Sequence, residues 1–155
     1  LEIQHPSFVS GSPAEPMAIR IVNGVSEPVS LGIEAGALFN PGEMVDFEPV
    51  PFWAEHPEFA EGRTPEVPIV IDNIAGDVMD ALMDAADYRA DLVVIYREYL
   101  TSDPSEPAYG PVEFKVRNVS IVGSSVKGTA RIDNLENMKF PRTVYTVNEF
   151  PALMG

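Results

Sequence analysis

The chain has 155 residues, 45% of them apolar, so a single domain with a sizeable core is expected. It carries 24 acidic and 10 basic residues, a formal net charge of −14, and such a negative surface argues against nucleic-acid binding. Cysteine is absent, which removes disulfides, thiolate catalysis and the common zinc sites, and no apolar run reaches the roughly 18 residues of a membrane span.

Period-two alternation of apolar and polar residues runs through the first 50 positions and predicts half-buried strands. The pattern is clearest in "LEIQHPSF", "MAIRIVN", "VSLGIEA" and "EMVDFEPV". In "MAIRIVN", for example, Ile19 and Ile21 fall on one face of the strand while Arg20 and Val22 fall on the other. The N-terminal third is therefore expected to consist of short strands.

A proline-rich acidic stretch interrupts this pattern at about 49–66. Proline fixes φ and has no N–H for a β-ladder, so the stretch is expected to form a long loop or a sheet edge. It also holds the single tryptophan, and long loops in compact domains are often functional. A partner-docking role is predicted for four of its residues: Phe52, Trp53, His56 and Phe59.

One helix is expected, over about 74–86, because apolar residues recur there at helical spacing. Asp77, Asp80 and Asp84 share one of its faces. A solvated face is the more ordinary interpretation of such a run than a cation site. If copies of the protein form a ring, these three residues are candidates for an acidic lumen, since negative walls let DNA pass without binding it.

The tripeptide Ile-Asp-Asn occurs at 71–73 and again at 132–134. Neither copy has the alternating carboxylates and terminal Glu of a calcium loop. Asp and Asn accept hydrogen bonds from nearby N–H groups, so Asp72 and Asp133 are predicted to act as turn or helix-cap acceptors rather than metal ligands. No metal or cofactor is expected.

A hairpin is predicted across 112–132, where apolar and polar residues alternate on both sides of a turn at 123–125. With "DLVVIYREYL" as a buried strand before it, the chain has seven or eight strands and one helix. The expected fold is mainly β, an antiparallel β-sandwich or squashed barrel that spans 1–137. Residues 138–155 are expected to form a C-terminal arm.

The C-terminal arm is too rich in large apolar groups for a free tail, since untethered termini are normally polar. Pro141 and Pro151 disfavour an inner strand and allow an extended arm or an edge strand added to another chain. Six of its residues are predicted to form a subunit interface, against the alternative that they complete their own domain: Phe140, Val144, Tyr145, Val147, Phe150 and Leu153.

Catalytic motifs are lacking, and the protein is not expected to be an enzyme. The two histidines, His5 and His56, each precede a proline and lack the spacing of a metal pair. The segment "VGSSVKG" resembles a nucleophile elbow superficially, but it falls in a hairpin turn rather than before a helix. Carboxylates are so numerous that a chance glycosidase-like pair carries no information. No catalytic residue is therefore assigned.

Charge is distributed unevenly along the chain. Residues 1–111 hold 20 acids and 4 bases, whereas residues 112–155 hold 4 acids and 6 bases. A polarised chain could join its copies head to tail, an acidic face against a neutral or basic one. The alternative is that the acidic surface keeps the protein soluble.

Six segments stand in a distinctive order: "LEIQHPSF", "IRIVN", "VDFEPVPFW", "VPIVIDNIAGDVMDAL", "GPVEFKVRNVSIVGSSVKGTA" and "MKFPRTVYTVNEFPAL". Together they resemble a family of small tail proteins from long-tailed phages and prophages, long catalogued as a domain of unknown function. The resemblance covers nearly the whole chain. The chain departs from the family pattern at the longer acidic insert that follows Phe52.

The resemblance implies a structural component of the tail tip, similar in role to distal tail or minor tail proteins. Such a protein forms a ring between the tail tube and the baseplate hub in the virion, after assembly in the host cytoplasm. The implied partners are copies of itself, six being expected and three the alternative, and the tail tube, tape-measure and baseplate hub proteins. Nucleic acid and membranes are not among them.

The rival interpretation, from another functional class, is a carbohydrate- or receptor-binding β-sandwich module. Exposed Phe52, Trp53 and Tyr109 could stack on a sugar, and phage tips contact glycans. The two interpretations differ in assembly, because a ring is a lasting oligomer whereas a binding module is compatible with a monomer.

Overall fold

The computed structural model describes residues 1–54, 66–72, 76–88 and 90–132, apart from the side chain of Asp77. Within these ranges the chain forms nine strands and a single helix, which confirms the predicted mainly β fold with one short helix. In chain order the elements are β1 (Glu2–Ser10), β2 (Glu15–Val22), β3 (Val29–Gly32), β4 (Met44–Pro49), β5 (Phe52–Ala54), β6 (Glu66–Ile71), α1 (Asp77–Asp87), β7 (Leu92–Glu98), β8 (Tyr109–Val122) and β9 (Ser125–Arg131).

The strands form one sheet in the order β3-β4-β2-β1-β7-β8-β9-β6-β5. Neighbouring strands in the described ranges are antiparallel, as predicted, except for β2 and β4. That pair runs parallel, with Ile21 opposite Glu48 and Val22 opposite Pro49. The sheet is therefore mixed, and its one parallel contact lies where β4 leaves its hairpin with β3.

β4 and β5 form one continuous ribbon, because Val50 and Pro51 alone separate them. On one side of the ribbon the Val50 N–H donates to the Val22 carbonyl of β2 at 3.1 Å. On the other side the Asp72 N–H, at the end of β6, donates to the Pro51 carbonyl at 2.9 Å. Because β4 pairs with β2 and β5 pairs with β6, the ribbon closes the sheet into a squashed barrel, one of the two predicted forms.

The barrel interior is filled by the inward side chains of the strands. Ile3, Ile21 and Phe114 are at most 1% exposed, and burial of a large apolar side chain contributes about 1.5–3 kcal/mol. Helix α1 packs against β1 and adds Leu82 and Ala85 to the same core. No helix among the described residues is long and apolar enough to cross a membrane.

Helix α1 begins at Asp77, three residues later than predicted, with Gly76 as its N-cap and no side-chain hydrogen bond to the cap. Of the two roles predicted for Asp72, turn or helix-cap acceptor, its side chain does not take the helix-cap role. Its carboxylate instead accepts a 2.5 Å hydrogen bond from Ser125 Oγ, at the turn between β8 and β9. Asp72 thus ties the end of β6 to the turn between β8 and β9, whereas Asp133, the other predicted acceptor, lies outside the described residues.

Replacing Asp72 with Ala is expected to lower the free energy of unfolding by about 1 kcal/mol, the typical net value of one hydrogen bond. Ser125→Ala should cost a similar amount, and the double variant little more than either single change, because both remove one interaction. Urea denaturation of the three variants measures these values. Additive losses would show that the two side chains act independently.

A second layer covers the outside of the barrel where β2, β1 and β7 lie. It consists of the β3–β4 hairpin and its connecting loop, residues 29–48, which we call the flap. Its inward side chains Leu31, Ile33 and Phe47 form a separate apolar cluster against which Tyr99 packs. The rings of Phe47 and Tyr99 meet edge to face, with their centroids 6.3 Å apart. The flap, the end of the same sheet, is thereby packed on the barrel wall.

Candidate protein interface

A buried ionic network lies between the flap and the barrel. The Glu2 carboxylate on β1 is fully buried and accepts hydrogen bonds from Gln4 Nε2 at 2.6 Å and Arg20 Nε at 3.0 Å. Arg97 Nη1 on β7 lies 3.5 Å from the same carboxylate. A buried charge requires partners of this kind, so three barrel strands are locked together beneath the flap.

Arg97 links this network to the flap through two 2.7 Å hydrogen bonds to the Glu34 carboxylate. Burial, the largest single influence, would raise the pKa of Glu34, but the hydrogen bonding and charge of Arg97 together with a backbone hydrogen bond outweigh it and hold this pKa below its usual value. Burial would lower the pKa of Arg97, whereas the carboxylates of Glu34 and Glu2 hold it above normal. Both groups remain charged near neutral pH, and the flap is therefore a fixed surface.

Residues 114–132 carry four of the ten basic residues of the chain and none of its 24 acids. They form the paired strands β8 and β9, with Lys115 opposite Arg131. Alternate residues of both strands, such as Val116 and Ala130, are buried in the core, so the pleat directs the cations outward. We call the outward surface of β6, β8 and β9 the basic wall; its cations are Lys115, Arg117, Lys127 and Arg131.

Acidic residues lie beside the cations of the wall. Arg131 forms an ion pair with Glu66 on β6, and Lys115 Nζ lies 4.0 Å from an oxygen of Asp91. The four side chains are between 36% and 50% exposed, and exposed pairs of this kind contribute little to stability. Glu66 on β6 and Glu113 on β8 share this outward surface, so the wall holds four bases and two acids and keeps a net positive charge on a strongly acidic protein.

Trp53 stands at the edge of the basic wall. It pairs with Val70 of β6, which pairs in turn with Lys127 of β9, so all three face outward within two strand spacings, or roughly 10 Å. The Trp53 side chain is half-exposed. Tryptophan and arginine are the residues most enriched at the energetic centres of protein interfaces. The wall thus combines charge with an aromatic group suited to a protein partner.

The structure places some of the predicted contact residues and leaves others outside the described ranges. Phe52 precedes Trp53 on β5 and faces the core, where it is half-buried, so it packs the barrel while Trp53 faces solvent. The other two residues of the predicted docking loop, His56 and Phe59, lie outside the described residues. So do all six predicted interface residues of the C-terminal arm: Phe140, Val144, Tyr145, Val147, Phe150 and Leu153.

The outer surface of the flap has the opposite charge from the basic wall. Residues 21–54 contain five acids and no base, and one of the acids, Glu34, is paired within the buried network. Asp46 and Glu48 point outward from β4, and the half-exposed Met44 precedes them on the same face of the strand. We call this outer surface the acidic face of the flap.

The basic wall and the acidic face lie on opposite halves of the barrel. Around the closed sheet, β2, β1 and β7 follow one another beneath the flap, and β8, β9 and β6 follow on the other half. The β4–β5 ribbon separates the two halves on one side. A particle with unlike charges on opposite sides attracts its own copies head to tail more strongly than face to face.

Helix α1 carries the acids predicted to line a lumen. Asp80 and Asp84 are exposed, as expected of a solvated face, whereas the side chain of Asp77 lies outside the described part. A shallow groove of about 170 Å³ separates the end of α1 from β8, and its lining includes Arg117 and Asn118. Because Arg117 belongs to both, α1 lies beside the basic wall and not opposite to it.

His5 and Ser7 form the one close histidine–hydroxyl pair of the described residues. His5 Nδ1 lies 2.7 Å from Ser7 Oγ and accepts the Ser7 N–H at 3.1 Å, while Phe8 and Tyr88 pack on the imidazole. His5 Nε2 is buried without a hydrogen-bond partner in this part of the chain. The pair therefore lacks the acid that orients the imidazole in a hydrolytic triad.

The aromatic residues considered for sugar stacking do not form one platform. The outward row that contains Trp53 reaches β8 at Ser120, through Val70 and Lys127. Tyr109 lies at the opposite end of β8, roughly 35 Å away along the strand. Its ring packs edge to face on Tyr96, 6.3 Å between centroids. The described geometry therefore offers no support for the sugar-binding alternative.

Comparison with known proteins places the chain in a family. Residues 1–145 match the family model described as "Domain of unknown function (DUF1833)". The chain belongs to the DUF1833 family. Comparison with curated proteins gave no match, and comparison with solved structures gave none either. The match to the DUF1833 family covers the whole described barrel. The family description assigns no function, so the function is argued from the surface of the barrel.

The cations of the basic wall of this DUF1833 chain are not among the residues predicted from the sequence to make contacts. The alternation of Lys115 and Arg117 with buried residues is visible in the sequence, and so is the basic excess after residue 111. The missing information is the register, which sets Lys115 opposite Arg131 and brings Trp53 to the same outward face. A run of 19 residues with four bases and no acid, in a chain of net charge −14, is the signal that could have identified the wall.

Proposed function

We propose that the chain is a structural subunit of a phage tail tip, whose copies form a ring between the tail tube and the baseplate hub. The observation that carries the proposal is the separation of unlike charge onto opposite halves of one barrel. A subunit with two complementary, separate faces generates a ring when the rotation between neighbours closes, and a filament when it does not. Six copies are proposed for the ring, with three as the alternative.

The tail-tip setting is supported by the sequence resemblance to small phage tail proteins. The described surface is compatible with it, because its charged faces and the exposed indole of Trp53 suit contacts with other proteins. The buried polar groups Glu2, Arg97 and Glu34 hold the flap in place. In this proposal the tail tube, tape-measure and baseplate hub proteins contact the remaining surfaces, and the acids of α1 face the channel.

Gene deletion and complementation in a phage that encodes this chain test the proposal. Particles made without the chain should have tails that lack a complete tip and should not infect, and supply of the wild-type chain should restore both properties. Labelled chain should appear at the end of the tail in electron micrographs. Infectious particles with normal tips in the absence of the chain, or label on the capsid alone, would overturn the proposal.

A further inference from the structure

The surface that the basic wall binds can be specified, on the basis of the proposed ring. We infer that the basic wall of one subunit docks on the acidic face of the flap of a second copy of this chain. The contact would set Arg117 and Lys127 of one subunit against Asp46 and Glu48 of the next. Trp53 would meet apolar surface on the flap, where Met44 is 51% exposed.

Charge favours this pairing. The wall carries four bases against two acids, Glu66 and Glu113, and the flap, residues 29–48, carries four acids and no base. Each surface therefore repels itself, which disfavours the symmetric contacts of wall with wall and flap with flap. Interfaces between unlike patches associate faster and exclude wrong arrangements, because like charges brought together are strongly unfavourable.

The position of the flap also makes the flap a better docking surface for the basic wall than helix α1, which is another acidic surface of the described chain. A ring requires each subunit to use two well-separated faces, one for each neighbour. The flap covers β2, β1 and β7, on the half of the barrel opposite to the wall. Helix α1 shares a groove with Arg117, and Asp91 just after it pairs with Lys115, so it adjoins the wall of its own subunit.

The rigidity of the flap makes its acids suitable for docking. Asp46 and Glu48 flank Phe47, which is 2% exposed and packed in the cluster beneath the flap. The bidentate bond between Arg97 and Glu34 holds the loop that precedes β4. Preorganised surfaces lose less conformational entropy on association, so the outward carboxylates are presented at low cost.

Charge reversal tests the contact with three matched variants. The wall variant carries Arg117→Glu and Lys127→Glu, the flap variant carries Asp46→Lys and Glu48→Lys, and the control carries Asp80→Lys and Asp84→Lys on α1. Melting temperatures are compared with the wild type so that loss of folding is recognised. Self-association of each protein, and of the wall and flap variants mixed in equal amounts, is measured by sedimentation velocity.

Wall and flap variants should each self-associate at least about 100-fold more weakly than the wild type, because each places like charges together. Their mixture should regain association to within about tenfold of the wild type, since a reversed wall then meets a reversed flap and the two native faces also meet. A ring in which wall and flap variants alternate can close with six subunits but not with three. The α1 control should associate like the wild type.

Different results separate this inference from the proposed function. If the wild type assembles but the flap variant assembles equally well, or if the wild type forms a six-subunit ring while the mixture of folded variants stays dissociated, the wall does not bind the flap, although the ring stands. Loss of assembly in the α1 control would assign the contact to the helix and likewise overturn the inference. A wild-type chain that never self-associates would instead remove the proposed ring.

Discussion

Replacing Arg97 with Met is expected to lower the free energy of unfolding by about 3–5 kcal/mol, the range observed when one partner of a buried ion pair is removed. The Arg97 side chain is 3% exposed, and its loss leaves the fully buried Glu2 carboxylate with one cation fewer. It also removes both hydrogen bonds that Glu34 of the flap accepts from the barrel. Thermal unfolding followed by circular dichroism should show a Tm lower by roughly 10 °C.

Arg131→Met is the matched control for this prediction, because it makes the same change at an exposed ion pair. The Arg131 side chain is 48% exposed and its partner Glu66 is 49% exposed. Loss of such a pair should cost less than about 1 kcal/mol. If the two variants lose equal stability, burial does not make the Arg97 contacts more stabilising than an exposed ion pair. The network then does not hold the flap.

Gly32→Ala is expected to have the second large effect, about 3 kcal/mol, at the upper end of the usual cost of overpacking. A Cβ built at Gly32 lies 1.8 Å from the Ser105 carbonyl oxygen and 2.5 Å from its carbonyl carbon. Both are backbone atoms, so the segment that contains Pro104 and Ser105 must move away. The 2.8 Å hydrogen bond from the Gly32 N–H to the Pro104 carbonyl is then lost.

Urea denaturation measures this cost, and amide exchange locates it, since protection should fall at Gly32 and in the flap around it. Gly36→Ala is the control, because a Cβ at Gly36 meets no atom within 4 Å. That change should alter stability by less than about 0.5 kcal/mol, or raise it slightly by restricting the unfolded chain. A Gly32 variant as stable as the Gly36 variant would contradict the close approach of the two segments.

Local patterns account for the part of the fold that was predictable from the sequence. Period-two alternation identifies strands and their inward residues, and helical spacing identifies α1. The closure of the barrel is not local, because it depends on one ribbon that pairs with β2 before Val50 and with β6 after Pro51. No periodicity within the ribbon indicates which distant strands it pairs with.

The buried charges escaped prediction for a related reason. Glutamate and arginine are seldom fully buried, so the sequence alone favours exposed positions for Glu2 and Arg97. Their burial results from packing of the flap on the barrel, and the bond between Arg97 and Glu34 joins residues 63 positions apart. The basic wall is an intermediate case, because alternation indicates its outward cations while the strand register determines which of them lie together.

Head-to-tail association through unlike charges is tested most directly by the mass of the purified wild-type chain in solution, measured by light scattering across a range of ionic strength. At low salt the predicted mass is six times the 16.9 kDa of one chain. It should fall toward a single chain as the screening length shortens from about 10 Å at 0.1 M to about 3 Å at 1 M salt. A mass of 16.9 kDa at every protein concentration and every ionic strength would contradict the assembly.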